Sequence, residues 1–238
     1  MKKQKCTILS ENAVSDTKNT LEVHINDYTE SILTETGRLY PFFKRCFDII
    51  VAGLGIFVLL ILLPVFMIII LIDSPGASPI YSQKRVGKNG KHFTLYKFRS
   101  MCPNADQIQD ILLPNNEMTG PVFKIRDDPR ITRFGRFIRR TGMDELPQLW
   151  NVLVGDMSLV GPRPPLPREV ALYSELHHKR LLIKPGITCY WQVQPQRNSL
   201  SFEEWFALDM KYMKERSFRT DLWILYQTIG AIKGMEGE

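Results

Sequence analysis

Residues 49–72, IIVAGLGIFVLLILLPVFMIIILI, run for 24 positions without a charged side chain. About 20 apolar residues suffice to cross a bilayer, so this segment constrains the chain more than any other. Pro64 lies inside the run, where it removes a backbone hydrogen bond and kinks or breaks a helix. Basic residues flank both ends: Lys44 and Arg45 before it, then Lys84, Arg85, Lys88, Lys91, Lys97 and Arg99 after it. Cytoplasmic flanks carry Lys and Arg, so charge on both sides favours both ends staying inside. A helix bent at Pro64 that enters and leaves by one face satisfies both observations. A kinked spanning helix, with Asp73 opening its C-terminal flank, and a buried helix of a soluble protein are the alternatives.

The rest of the composition narrows the class. With 238 residues the chain suits one domain plus appendages, and its net charge is +6. Cys6, Cys46, Cys102 and Cys189 are scattered, and His24, His92, His177 and His178 do not complete a metal knuckle with them. No disulfide framework is expected either, which fits reduced thiols and a cytoplasm-facing body. The first forty residues are polar and lack the apolar core of a signal peptide. Three parts follow: a loosely ordered polar tail (1–40), a membrane re-entrant helical segment kinked at Pro64 (41–75) and a membrane-associated body (76–238).

In that body, PIYSQKRVGKNGKHFTLYKFRSM reads as two strands joined at an Asn-Gly pair, a strong hairpin signal. Alternation places Phe93, Leu95, Lys97 and Arg99 on one side. Lys97 and Arg99 are candidates for holding an anionic substrate, or exposed cations on an edge strand. In DDPRITRFGRFIRRTG, Ile131, Phe134, Phe137 and Ile138 recur at helical spacing among Arg133, Arg136, Arg139 and Arg140. A basic amphipathic helix of this kind lies in a headgroup layer. A core helix with a solvated cationic face and a nucleic-acid-binding helix are its alternatives, the latter without any accompanying motif. SLVGPRPPLPREV is too rich in proline and glycine for a helix and can hold Arg163 rigidly for a bidentate grip on phosphate. It reads equally as a plain surface loop. KPGITCYWQV is a Pro-Gly turn entering a short strand. The C-terminal stretch is helical by period, with Ser201 as a cap before Glu203 and Glu204. Its Trp205, Leu208, Tyr212, Trp223, Leu225 and Tyr226 read as core or interface residues.

TGMDELPQLW then sets two acids side by side. Neighbours on a helix point about 100° apart, so Asp144 and Glu145 do not form a face-sharing dyad by helical spacing. They are either an acidic helix start, favoured by the helix dipole, or two groups with different targets.

From Lys44 to TIGAIKG the chain resembles the bacterial sugar transferases, the monotopic phosphoglycosyl transferases. The matching pieces stand in family order: KRCFDII, QKRVGKNG, YKFRSM, DPRITRFGRFIRRTGMDELPQLWNVLVGDMSLVGPRP, KPGIT and WQV. The resemblance implies an α/β, mostly helical fold: a re-entrant helix-break-helix, interfacial amphipathic helices and a small cytoplasmic catalytic part with a short β-hairpin. It implies transfer of a sugar-1-phosphate from a UDP-sugar donor to polyprenyl phosphate, with release of UMP, at the bacterial inner membrane. Asp144 matches the family's nucleophile, which becomes an aspartyl phosphosugar, and Glu145 its Mg²⁺ ligand, both catalytic. Lys97, Arg139 and Arg163 match phosphate-binding cations, and the loop of Pro162 and Pro164 is associated with the nucleotide.

Arg197 matches an arginine that usually follows WQV in a Gly-Arg motif, but QPQRN lacks the glycine. Cys189-Tyr190 replaces a frequent Gly-Leu, and LLP stands where Ser-Pro is frequent. The chain looks like a minimal catalytic form with an added tail, with inner-membrane phospholipid as a partner, a homodimer as an option and no nucleic acid. The rival reading is a membrane-anchored adaptor that has kept the fold and lost catalysis.

Overall fold

Helix α1 (Tyr40–Asp73) takes up the whole apolar run and the basic residues before it, and it continues through Pro64. The computed structural model describes residues 39–118, 120–125, 127–195 and 197–233, so nearly all of the expected tail lies outside it. The expectation of a helix-break-helix is not met by the backbone: one helix of 34 residues stands there, about 50 Å long at 1.5 Å per residue.

Only one stripe of α1 is covered. Lys44, Asp48, Ala52, Leu59, Phe66, Ile70 and Asp73 recur at spacings of three, four and seven residues along it, with Arg45 beside Lys44. Lys44 Nζ pairs with Asp221 at 2.8 Å, and the Arg45 guanidinium donates to the carbonyls of Val152 and Leu153. Asp48 accepts from the Leu159 amide, Phe66 stacks on Phe98, and Asp73 accepts from the Phe134 amide. Ile50, Leu54, Phe57, Ile61, Ile68 and Ile72 face away and are exposed. In the most apolar 18-residue stretch of α1 only 11% is buried. A soluble core helix would be mostly covered, and an apolar surface this large marks an interaction with lipid or protein.

Next come β1 (Ile80–Val86) and β2 (His92–Phe98), antiparallel in the register Tyr81↔Lys97, Gln83↔Leu95 and Arg85↔Phe93. Asn89, with φ 56°, makes the left-handed turn that the Asn-Gly pair signalled. Directly opposed residues share a face, so Arg85 lies on the same side as Leu95 and Lys97, while Ile80, Tyr96 and Phe98 lie on the other.

A short α2 (Ala105–Leu112) precedes α3 (Arg133–Arg140), the expected basic helix. Thr132 caps α3 by accepting from the Gly135 amide, and Ile138 is fully buried. Phe134 packs on Phe66, while Phe137 stays half-exposed. After α4 (Gln148–Val154) comes β3 (Ser158–Val160), which pairs in parallel with β4 (Gly186–Thr188). This parallel pair is an addition to the single hairpin expected from sequence. Gly161 and Gly186 meet backbone to backbone there: a Cβ on Gly186 would stand 2.0 Å from the Gly161 nitrogen.

Short α5 (Pro167–Val170) and α6 (Glu175–His178) bridge the two strands. The C-terminal periodicity resolves into two helices, α7 (Phe202–Glu215) and α8 (Phe218–Lys233). Ser201 caps α7 as expected, with Glu204 returning the bond to the Ser201 amide. Ala52 of α1, Leu95 of β2, Val152 of α4, Val160 of β3, Tyr212 of α7 and Ile224 of α8 share one core. The membrane-type helix and the body are therefore one compact unit.

Candidate active site

The two acids occupy neither a helix interior nor a loop. Gly142, at φ 67°, ends α3 in the left-handed region that favours glycine. The chain then makes a 3₁₀ turn, Met143–Glu145, before Pro147 starts α4. This tight turn holds both acids against β2. Asp144 is buried and Glu145 only partly so.

Lys97 joins them. Its Nζ donates to Glu145 Oε1 at 2.5 Å and stands 3.9 Å from Asp144 Oδ2. Burial pushes the Asp144 carboxyl up to about 6 against the pull of Lys97, the Glu145 charge adding to the rise and Arg139 opposing it. Burial acts on Glu145 in the same sense, but the charge and hydrogen bond of Lys97, with help from Arg163 and Arg85, hold it below the usual carboxylate range. One acid is thus a stable anion and the other an unusually basic carboxylate.

Arg163 rides on a loop fixed from several sides. The Pro162 carbonyl accepts from the Gly186 amide, and the Pro165 carbonyl accepts from Val86. The Pro164 carbonyl accepts from Arg85 Nη1 at 2.9 Å. Pro162 and Pro164 are themselves buried, so they shape the loop from beneath. Buried Glu169 takes the Leu166 amide and, at 3.4 Å, Arg163 Nη1. Below it, Arg180 bonds to the Tyr173 hydroxyl, the Arg163 carbonyl and Asp209 of α7.

Arg85 is the residue that sequence reasoning counted only as a flanking charge. Alternation along β1 was the available signal: Tyr81, Gln83 and Arg85 share the face opposite Lys84. Arg85 is only 8% exposed, and its Nε is buried without a hydrogen-bond partner. Burial, and then the like charge of Arg163, lower its guanidinium to about 9. Arg139 lies half-buried in the last turn of α3, on the Asp144 side.

The other two expected cations turn elsewhere. Arg99 lies just past β2, donates to the Ser78 carbonyl at 2.6 Å and sits over the Tyr81 ring. Arg197 donates to the Gln192 carbonyl within its own loop. Among the described residues no group of three or more His, Cys, Asp or Glu side chains converges as a metal cage.

The sequence pattern described as bacterial sugar transferase matches residues 39–234. A galactosyl transferase, CpsE, of Streptococcus agalactiae is 43% identical over 206 residues, which cover 85% of this chain and 45% of that protein. The undecaprenyl-phosphate galactose phosphotransferase of Salmonella typhimurium is 40% identical over 201 residues, 82% of this chain and 41% of that one. The exopolysaccharide production protein ExoY of Sinorhizobium fredii is 37% identical over 207 residues, 83% of this chain and 90% of its own length. The chain thus spans less than half the length of the first two and most of the third. With a pattern match over most of its length and relatives at this level of identity, the chain belongs to the bacterial sugar transferase family.

Proposed function

We propose that the protein moves a sugar-1-phosphate from a UDP-sugar to a polyprenyl phosphate, undecaprenyl phosphate foremost, and releases UMP. This would be the first membrane step of surface-glycan assembly, on the cytoplasmic face of the inner membrane. One observation carries the reading: Lys97 bridges Asp144 and Glu145 on the face where Arg85 lies, against a body whose core includes an exposed apolar helix. Two cations with hydrogen-bonding capacity beside two acids suit a diphosphate better than any neutral substrate. A relative named as an undecaprenyl-phosphate galactose phosphotransferase supports the same chemistry.

Asp144 is the nucleophile. With its carboxyl raised to about 6 it is ionised at neutral pH yet more basic than an ordinary carboxylate, which favours attack. Its oxygen forms a bond to the β-phosphorus as the bond from that phosphorus to UMP breaks, leaving an aspartyl phosphosugar. The acceptor phosphate, whose second pKa is about 6, attacks as its dianion. Its oxygen bonds to phosphorus, the aspartyl–phosphorus bond breaks, and the carboxylate is regenerated without a proton transfer. Lys97, Arg85, Arg139 and Arg163 offset the repulsion between these acids and the phosphates. A hard divalent ion such as Mg²⁺ takes one or two carboxylates and completes its shell with substrate phosphates and water. The donor set fits that role: Glu145, held ionised by Lys97, would hold the ion, which would supply charge neutralisation on the phosphates.

We also infer that α1 does not cross the bilayer. Lys44, Arg45 and Asp48 at one end and Asp73 at the other all bond to the same body, which supports both ends lying on one side. The test of function is a panel of UDP-sugars with the purified protein. Continuous UMP release requiring Mg²⁺ and polyprenyl phosphate is expected, and with the acceptor withheld a single turnover that leaves a hexose-phosphate adduct on Asp144 and about one UMP per protein. Neither product from any donor would overturn the reading.

A further inference from the structure

β1 lies along one side of β2, and among the described residues no third strand pairs with the other side. Such an edge presents a row of backbone N–H and C=O groups without ladder partners. Asn151 of α4 closes it. Its carboxamide accepts from the Tyr96 amide at 3.2 Å and donates to the Thr94 carbonyl at 2.7 Å. Backbone groups two residues apart on a strand point to the same side, so one side chain stands in for a residue of the missing strand. The Tyr96 amide can only donate and the Thr94 carbonyl can only accept, which fixes the orientation of the carboxamide. Asn151 is 1% exposed, so water does not compete for either bond.

Both sides of this lock carry the site. Lys97 follows Tyr96 directly in β2. On the other side, α4 continues the acid turn: Glu145 bonds back to Gly142, Leu146 to Met143, Leu149 to Leu146 and Trp150 to Pro147. Asn151 is itself held, because its carbonyl takes the Gly155 and Met157 amides. Leu95 of β2 and Val152 of α4 share the apolar core, but apolar contact is non-directional and does not set a position along the strand. The two bonds of Asn151 do.

We propose that Asn151 is a positioning residue for the transfer: by tying β2 to α4 it sets where Lys97 stands relative to Asp144 and Glu145. This inference rests on the reaction assigned above. A slip of the strand by one residue would move Lys97 by about 3.3 Å and turn its side chain to the other face. Even a misplacement of about 1 Å in a reacting constellation costs about a hundredfold in rate. Arg139 and Arg163 come from α3 and the 161–166 loop, so much of the grip on the donor lies outside the lock.

The test follows single-turnover formation of the Asp144 adduct by mass spectrometry, with the full chain in nanodiscs and rates counted per folded molecule. Asn151→Ala should slow adduct formation at saturating donor by about 10- to 100-fold, with the half-saturating donor concentration changed less than about threefold. Asn151→Asp keeps an acceptor for Tyr96 but sets an oxygen against the Thr94 carbonyl, and should slow the step by about three- to tenfold. Ser201→Ala is the control: it removes the α7 cap without touching β2, and its rate per folded molecule should stay within about twofold of wild type. Asn151 variants that lose stability yet react at the wild-type rate per folded molecule would overturn the proposal. A loss confined to donor affinity would do the same.

Should neither Asn151 variant fold, hydrogen exchange of the wild type decides. Protection of the Tyr96 amide equal to that of the core strands is expected, whereas exchange as fast as at the exposed Asn89 turn would sink the lock. If the wild type forms no adduct from any donor, the function itself fails, while Tyr96 exchange still reports on the lock.

Discussion

Two clusters of charge lie on either side of the 161–166 loop, and they are built on opposite principles. Around Asp144 and Glu145 the cations Lys97, Arg85, Arg139 and Arg163 outnumber the acids, even with Glu169 beside Arg163 counted. Beneath the loop, Arg180 and Asp209 are matched one to one, both almost wholly buried, with Tyr173 and the Arg163 carbonyl taking further donors. The first arrangement is incomplete without an anion. The second is balanced in charge and fixes the loop that carries Arg163, although Arg180 Nε and Asp209 Oδ1 are buried without hydrogen-bond partners. A buried cation that has found its carboxylate is part of the architecture, whereas a surplus of cations is a binding site.

The largest contrast is expected at Asp144. Asp144→Asn should lower turnover by about 10⁴-fold or more, as loss of a covalent nucleophile does. It should also stabilise the protein. The folded carboxyl is raised from 3.8 to about 6, so ionisation costs stability. That cost is absent below the ordinary value and complete above about pH 6. A shift of about two units corresponds to at most about 3 kcal/mol at neutral pH. Melting of wild type and variant from pH 4 to 8 checks this, with the gap opening as pH rises. A less stable variant would show that the cluster is structural after all. In the wild type, adduct formation should rise through about pH 6 and then level off.

Removing one partner of the balanced pair should act the other way. Asp209→Ala leaves Arg180 buried and unpaired, and about 3–5 kcal/mol of stability should be lost, read by denaturant unfolding. Less than about 1 kcal/mol would erase the distinction between the two clusters. Arg163→Ala should cost about 1 kcal/mol of stability, because buried Glu169 loses the guanidinium and keeps the Leu166 amide, and should raise the donor KM by about 10- to 100-fold, the range for a charge-assisted hydrogen bond. Smallest of all, Arg99→Ala and Arg197→Ala should change kcat/KM by less than about threefold, because both guanidiniums already serve local carbonyls. A large loss at either would return it to the phosphate-binding set.

Much of this was readable from residue order. The apolar run, the Asn-Gly hairpin, the Thr132 and Ser201 caps and the alternation that aligns Lys97 with Leu95 are local signals, set by backbone geometry and side-chain period within a few residues. The adjacency of Asp144 and Glu145 likewise excluded a helical dyad. Arg85 and Arg99 show where that kind of reading stops. Both are arginines on a hairpin, and alternation gives each a face but not an end point. Arg85 reaches the Pro164 carbonyl, 79 residues away, whereas Arg99 falls back on Ser78.

The parallel pairing of β3 with β4 and the latch of Arg180 on Asp209 are equally invisible locally, because each joins segments whose meeting depends on the whole core. So too with α1. Its sequence determined that it would be a long apolar helix with an inherent defect at Pro64. Only the packed structure decided that the helix runs on through the proline and that both ends are tied to one body. Burial of the stripe from Lys44 to Asp73 is a property of two surfaces meeting, and a single chain segment carries only one of them.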